Sequence, residues 1–122
     1  MKLGVIAGTR TDTLLGVQYV ESKGYAAVGR PCSEDATQQL DMQLHHKEAL
    51  ADRVVELSAE MLSEGAEAIY IYCNSLSTAI DLENVKSRIP VPVVTPLDVY
   101  EECAGLYKHI FVIAANCQAL AG

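Results

Sequence analysis

The chain has 122 residues and a mass of 13.2 kDa, which is the size of one ordinary domain. Half of its residues are apolar and 20% are charged, so the composition supports a buried core and excludes a disordered tail. Sixteen acidic residues against nine Lys and Arg give a formal net charge of −7, which makes nucleic acid and anionic membranes unfavourable partners. No apolar run approaches the roughly 20 residues of a membrane helix, and we find no secretory signal, so we predict a cytoplasmic protein.

The predicted elements alternate between strands and helices along the chain. Strands are predicted at residues 2–7, 25–28, 68–72, 91–94 and 110–114, and helices at residues 14–22, 36–64, 75–88 and 98–107. Pro92 restricts the fourth strand to a sheet edge or a strand start, because proline cannot donate to the ladder. The alternation predicts an α/β fold, with a mainly parallel sheet flanked by helices and right-handed connections.

The longest predicted helix, residues 36–64, has an apolar face and an acidic face. An acidic residue occupies every fourth position from Glu48 to Glu64, and we interpret this stripe as a solvent-exposed face rather than a cation site. The adjacent His45 and His46 have no third ligand at a suitable spacing, and the four cysteines form no Cys-x-x-Cys pair. We therefore predict no metal site, and thiols that are reduced.

Three of the predicted strands end in small or polar residues. The first leads into Gly8, Thr9 and Arg10, the third into Cys73, Asn74 and Ser75, and the last into Asn116, Cys117 and Gln118. Ligands of open parallel sheets bind beyond the carboxyl ends of the strands. We therefore expect the chemistry of this protein in these three loops.

Cys73 is the strongest candidate because it leaves a strand and directly precedes a helix. The unpaired amides of the first helical turn favour a thiolate, and with Asn74 and Ser75 they can hold a carboxylate. A base and a carboxylate-binding group within one turn would allow a proton to be removed from the carbon next to that carboxylate. The alternative is that Cys73 is a small buried apolar residue, which is the commonest role of cysteine.

The other three cysteines are weaker candidates. Cys32 is predicted in a polar loop after Pro31, and Cys103 is predicted in the middle of a helix, where we interpret it as structural. Cys117 follows a predicted strand end, as Cys73 does. Cys117 is therefore the internal candidate for a second acid or base.

Two stretches of the chain resemble the Asp/Glu racemase superfamily. Residues 71–75, Ile-Tyr-Cys-Asn-Ser, and residues 89–94, Ile-Pro-Val-Pro-Val-Val, resemble its signature of an apolar strand, Cys-Asn-Thr, a helix and an Ile/Leu-Pro-Val strand. The apolar opening before Gly8 is similar to the first strand of that family. The resemblance implies that residues 1–96 are the first racemase-like domain. Residues 97–122 would then be a connecting helix and the first strand of an otherwise absent second domain.

The resemblance implies an amino-acid racemase of the aspartate/glutamate type, in which two cysteines act on opposite faces of the α-carbon without pyridoxal or a metal. Cys73 matches the first of these cysteines. The resemblance further assigns seven positions to substrate binding, five around Cys73 and two in the loop that opens the second domain. These substrate-binding positions are Gly8, Thr9, Arg10, Asn74, Ser75, Asn116 and Gln118. The implied substrate is a small carboxylate or amino acid.

Two departures from the family pattern keep other functions open. Ala7 and Gly8 stand where glutamate racemases carry Asp-Ser, and Cys117 does not match the second family cysteine by position. We therefore expect this chain to supply about one half of a racemase site. The alternatives are a single-cysteine decarboxylase or isomerase of small diacids, or a non-enzymatic carboxylate-binding half-domain that pairs with itself as a homo-oligomer.

Overall fold

A computed structural model describes residues 1–113 of the chain. Its strands are β1 (Lys2–Ala7), β2 (Ala26–Pro31), β3 (Ala68–Ile71) and β4 (Val93–Val94). Its helices are α1 (Arg10–Ser22), α2 (Ala36–His45), α3 (Lys47–Ser63), α4 (Asn74–Ala79), α5 (Leu82–Ser87) and α6 (Pro96–Leu106). Within these residues, no helix is long and apolar enough to cross a membrane.

The four strands form one parallel sheet in the order β2-β1-β3-β4. Leu3 of β1 pairs with Ala27 on one side and with Ala68 on the other, so β1 is a central strand. The two-residue β4 lies at the edge, as Pro92 predicts, and the carbonyl of Pro92 still accepts a hydrogen bond from the Ile69 amide (2.9 Å). The predicted α/β fold with a parallel sheet flanked by helices is confirmed.

The hydrophobic core lies between the sheet and α3. The apolar residues of α3 recur at helical spacing, as the sequence predicts, and all four are buried. They are Leu50, Val54, Leu57 and Met61. Gly4 of β1 allows this close packing, because a Cβ there would lie 3.1 Å from Met61 Sδ and 2.8 Å from Ile69 Cδ1.

Helix α1 packs on the other face of the sheet. Its Gly16 lies so close to β1 and β3 that an added Cβ would stand 2.7 Å from Val5 Cγ1 and 3.0 Å from the Tyr72 ring. The chain therefore leaves β1 through α1 on one face of the sheet, and it enters β3 from α3 on the other face. This reversal makes the carboxyl ends of β1 and β3 the topological switch point, where open α/β sheets bind ligands.

The predicted helix over residues 36–64 is two helices, not one. His46 has φ −135° and ψ 43°, outside the helical region, and it both ends α2 and begins α3. A straight helix rises about 1.5 Å per residue, so an unbroken one would carry α2 past the sheet. The break instead lets α2 fold over the carboxyl edge, where its Gln39 and Gln43 contact the first turn of α4 and its N-cap residue.

The predicted helix over residues 75–88 is also divided in two. Ile80 is extended, and the Asp81 side chain accepts a hydrogen bond from the Asn84 amide (3.1 Å), which starts α5. Aspartate is among the best N-cap residues, because its carboxylate satisfies an amide that the helix leaves unpaired. The apolar periodicity of residues 75–88 continues across this N-cap, so periodicity alone does not reveal the break between α4 and α5.

The acidic stripe of α3 is exposed, as predicted. All five acidic residues from position 48 to position 64 face solvent. Several form ion pairs, such as Asp52 with Arg88 (2.8 Å) and Glu60 with Arg30 (3.5 Å). Within residues 1–113, no group of three His, Cys, Asp or Glu is arranged to hold a metal ion.

The segment after β4 differs from the prediction. Helix α6 forms as expected, but residues 110–113 belong to no strand, and Ala114 and the residues beyond it lie outside the described part. A strand needs a neighbour to satisfy its backbone groups, and among residues 1–113 no strand pairs with this segment. The predicted strand over residues 110–114 is therefore not found in residues 110–113.

Candidate active site

The candidate site lies at the switch point, where β1 and β3 end side by side. The Tyr72 amide donates to the Ile6 carbonyl (2.7 Å), and the Cys32 amide donates to the Ala7 carbonyl (2.9 Å). These bonds extend the sheet pairing by one residue beyond β3 and β2. Gly8 and Cys73 therefore emerge at the same edge, as the sequence predicts for two loops that follow parallel strands.

Cys73 is half-buried and occupies the N-cap position of α4. Its backbone is extended (φ −165°, ψ 123°), and its side chain makes no capping bond. Its Sγ lies 3.5 Å from Ser75 Oγ, and its carbonyl accepts a hydrogen bond from Ser77 Oγ (2.6 Å). The thiol thus stands at the rim of the sheet beside a hydroxyl, and its partly buried side packs against the hydrophobic core.

Two glutamines of α2 complete the surroundings of Cys73, and the sequence analysis missed both. Gln39 Nε2 donates to Cys73 Sγ (3.5 Å) and to Ser75 Oγ (3.4 Å). Gln43 is 3% exposed, and its Nε2 donates to the same hydroxyl (3.3 Å). The two lie four residues apart on one helical face, which is the signal that could have found them.

The remaining predicted residues of the two described loops have different surroundings. Asn74 is exposed, and its Oδ1 accepts a hydrogen bond from Tyr100 Oη of α6 (2.7 Å). Thr9 caps α1, where its hydroxyl accepts from the Asp12 amide (3.2 Å). Arg10 is exposed and pairs with Glu34 (2.8 Å). The structure thus brings Gly8, Cys73 and Ser75 together around Gln39, and engages Thr9 and Arg10 elsewhere.

Asn116 and Gln118, which the sequence predicts in the substrate-binding loop of a second domain, lie outside the described residues. Cys117, the internal candidate for a second acid or base, lies outside them as well. Their roles remain predictions.

Cys32 directly follows β2, in the loop where the sequence places it, and its side chain is buried in the hydrophobic core. It is 6% exposed. Burial, and then the charge of Cys73, raise the pKa of the Cys32 thiol to about 12, against a smaller lowering by Arg53. A thiol that resists ionisation is a poor proton acceptor at neutral pH. Within residues 1–113, the half-buried thiol at this edge of the sheet is therefore that of Cys73.

Two surface clefts of the described chain lie away from Cys73. One, of about 380 Å³, lies at the junction of α2 and α3 around His45 and His46. The other, of about 440 Å³, lies between α3 and α5 and is lined by residues that include Asp52 and Arg88. Neither is lined by Cys73, Ser75 or Gly8.

The arrangement at Cys73 combines one proton-transfer group with several hydrogen-bond donors. The thiolate form of Cys73 can accept a proton, and the Ser75 hydroxyl can donate to a carboxylate oxygen. The Asn74 oxygen is engaged by Tyr100, so its NH₂ group is the part that can donate to a ligand. These are the groups needed to bind a small carboxylate and exchange a proton beside it.

The fold is similar to that of a racemase of known structure. The chain matches glutamate racemase from Aquifex pyrophilus with a TM-score of 0.64 and 20% sequence identity. The match covers 89% of this chain and 42% of that chain, so this chain spans less than half of the racemase. No family model matches the chain, and no curated protein matches it significantly. At this identity the likeness concerns the fold alone: the four-stranded parallel sheet with its helices has the fold of a racemase-like half-domain.

Proposed function

We propose that this chain is one half of a cofactor-independent amino-acid racemase, in which Cys73 transfers a proton at the α-carbon of a small amino acid such as aspartate or glutamate. The observation that carries the proposal is the half-buried Cys73 thiol at the switch point of a racemase-like sheet, 3.5 Å from the Ser75 hydroxyl. The racemase-like fold supports it.

In the proposed reaction, the Cys73 thiolate removes the α-proton and becomes a thiol. The electron pair left on the α-carbon is stabilised by the substrate carboxylate, which Ser75 and Asn74 hold by hydrogen bonds. Gly8 provides room for the backbone of its loop to approach the substrate. Inversion requires a second acid on the opposite face, and Asn116 and Gln118 belong to the segment that we assign to that half of the site.

Residues 1–96 form the first domain in this proposal, and residues 97–122 lead into a second one. Thr9 and Arg10 have the least support among the proposed substrate contacts, because Thr9 caps α1 and Arg10 pairs with Glu34. Substrate binding by Arg10 would require that exposed ion pair to open, which costs about 1 kcal/mol or less.

The proposal is tested by the exchange of the substrate α-proton in heavy water, followed by proton NMR with aspartate and glutamate. A single base can exchange the proton without inverting the carbon, so this assay does not need the second half of the site. We expect the wild-type chain to catalyse exchange, Cys73→Ser to abolish it, and Cys103→Ser to retain it. Equal exchange by the wild type and Cys73→Ser, or no exchange by the wild type, would contradict the proposal.

A second candidate is the single-cysteine decarboxylase or isomerase of small diacids. It is favoured by the burial of Cys32, because Cys73 then acts without a second accessible thiol at this edge of the described chain. Incubation with malonates and maleate distinguishes it. Carbon dioxide release or fumarate formation that is lost in Cys73→Ser would replace the racemase proposal.

A further inference from the structure

A side chain of the protein itself fills the space beside Cys73. Gln39 reaches from α2 across the carboxyl edge of the sheet, where its amide contacts both Cys73 Sγ and Ser75 Oγ. The same amide lies against Gly8, since a Cβ added there would overlap Gln39 Nε2 and Cδ and stand 2.9 Å from Oε1.

The space that Gln39 fills has the dimensions of a small carboxylate. A carboxamide is planar and ends in three heavy atoms (C, O and N), so its shape is close to that of a carboxylate (C, O and O). It is bounded here by the Gly8 backbone, the thiol of Cys73 and the hydroxyl of Ser75. A ligand carboxylate and the Gln39 amide therefore cannot occupy this position together.

We propose that Gln39 is a plug that covers the Cys73 thiol in the ligand-free protein, and that its side chain has to rotate away before a small carboxylate or a thiol reagent reaches the sulfur. Gln39 is only partly buried, so its side chain has solvent to rotate into. Gln43 lacks this freedom to rotate, because its side chain is buried (3% exposed) while its amide donates to the Ser75 hydroxyl. The plug concerns the Cys73 thiol, as the proposed function does, and the two proposals are tested separately. The test below measures how fast a reagent reaches the sulfur and not catalysis, so the plug and the racemase function can each fail without the other.

The test is the alkylation rate of each cysteine by iodoacetamide, followed by peptide mass mapping. Rates are measured across pH, and the plateau at high pH is compared, so that access is separated from ionisation. We expect Gln39→Ala to raise the plateau rate at Cys73 about fivefold, the equivalent of about 1 kcal/mol for the lost contacts. Cys103, half-buried in α6, is the internal reference and should not change. Thr37→Ala, the control at an exposed position of α2, should leave Cys73 unchanged.

A second variant displaces the plug without altering Gln39. Gly8→Ala places a methyl group where the amide lies, and the flexible end of Gln39 has to move out. We expect the same acceleration at Cys73, and no further acceleration in Gly8→Ala/Gln39→Ala, because the plug is already absent. An unchanged rate in Gln39→Ala, an additive gain in the double variant, or a parallel rise at Cys103 would overturn the proposal.

Discussion

The part of the chain from β1 to α5 and the part after β4 are built in different ways. In the first part, the sheet and α3 bury residues such as Val54 and Met61 completely. Helix α6 buries none of its residues, and the exposed fractions of Phe111 and Ile113 are 95% and 97%. Yet α6 has the most complete helix start of the described chain, a capping box with proline at its beginning.

The difference shows two ways in which a helix is stabilised, by tertiary packing in α3 and by its local sequence in α6. Helix α3 is held by tertiary packing of an apolar face, which is how most helices of proteins are stabilised. Helix α6 is specified by its local sequence and ends in apolar residues that nothing covers within residues 1–113. Exposed apolar segments of this kind are typical of interfaces. This agrees with the proposal that the segment leads into a second half, whereas a homo-oligomer stays the alternative.

Truncation of a core leucine should give the largest effect on stability. We expect Leu57→Ala in α3 to lower the free energy of unfolding by about 3 kcal/mol, because Leu57 is 2% exposed and the mutation leaves a cavity. The matched variant Leu106→Ala in α6, where the leucine is 71% exposed, should cost less than about 0.5 kcal/mol. Urea unfolding followed by circular dichroism measures both. Similar costs would show that α6 is packed in solution.

The buried thiol of Cys32 should make the β1–α5 part sensitive to alkali. Its pKa is raised from 9.0 to about 12, chiefly by burial, so the thiol ionises in the unfolded chain before it does so in the folded one. Its contribution is complete below pH 9 and is lost as the pH rises toward 12, by about 1.4 kcal/mol at pH 10. Unfolding free energies at pH 8 and pH 10 measure the loss.

Cys32→Ala should remove this part of the alkaline loss, whereas Cys103→Ala, which alters a half-buried thiol of α6, should retain it. If wild type and Cys32→Ala lose equal stability between pH 8 and pH 10, the thiol is not buried as the structure shows.

The sequence predicted the sheet well because its strands are short apolar runs with clear ends. It predicted the edge position of β4 from Pro92, and the apolar face of α3 from its period. It missed the breaks at His46 and Asp81, because the periodicity continues across both. It placed Cys32 correctly in the loop after Pro31, but the polar residues that follow hide that its amide still pairs with β1 and that its thiol is buried.

The candidate site was only partly predictable for a related reason. Cys73 and Ser75 follow a strand, so the rule for parallel sheets locates them from the sequence. Gln39 and Gln43 reach the site only because α2 folds back at His46. Their spacing shows from the sequence that they share a helical face, but no local pattern carries the direction of that break, so the sequence does not show that this face covers the thiol.

Removal of the α6 cap should have the smallest effect, and it should be local. The Thr95 side chain accepts a hydrogen bond from the Asp98 amide (3.4 Å), and the Asp98 carboxylate accepts one from the Thr95 amide (2.7 Å). We expect Thr95→Ala to cost about 1 kcal/mol, and Thr95→Ser, which keeps the oxygen, to cost less. Hydrogen exchange should become faster in α6 and stay unchanged in β1 and β3.

Acid should weaken the same cap by protonating the Asp98 carboxylate. Burial raises the pKa of Asp98, but hydrogen bonds from Lys86 and Thr95 and the charge of Lys86 together lower it below its ordinary value of 3.8. Its contribution is therefore present above about pH 4 and is lost as the pH falls through the folded-state pKa. Once the pH lies below that lowered folded-state pKa, wild type and Asp98→Asn should converge in α6 exchange. If Thr95→Ala also accelerates exchange in β1 and β3, the two parts of the chain unfold as one unit, and the contrast between them concerns burial alone.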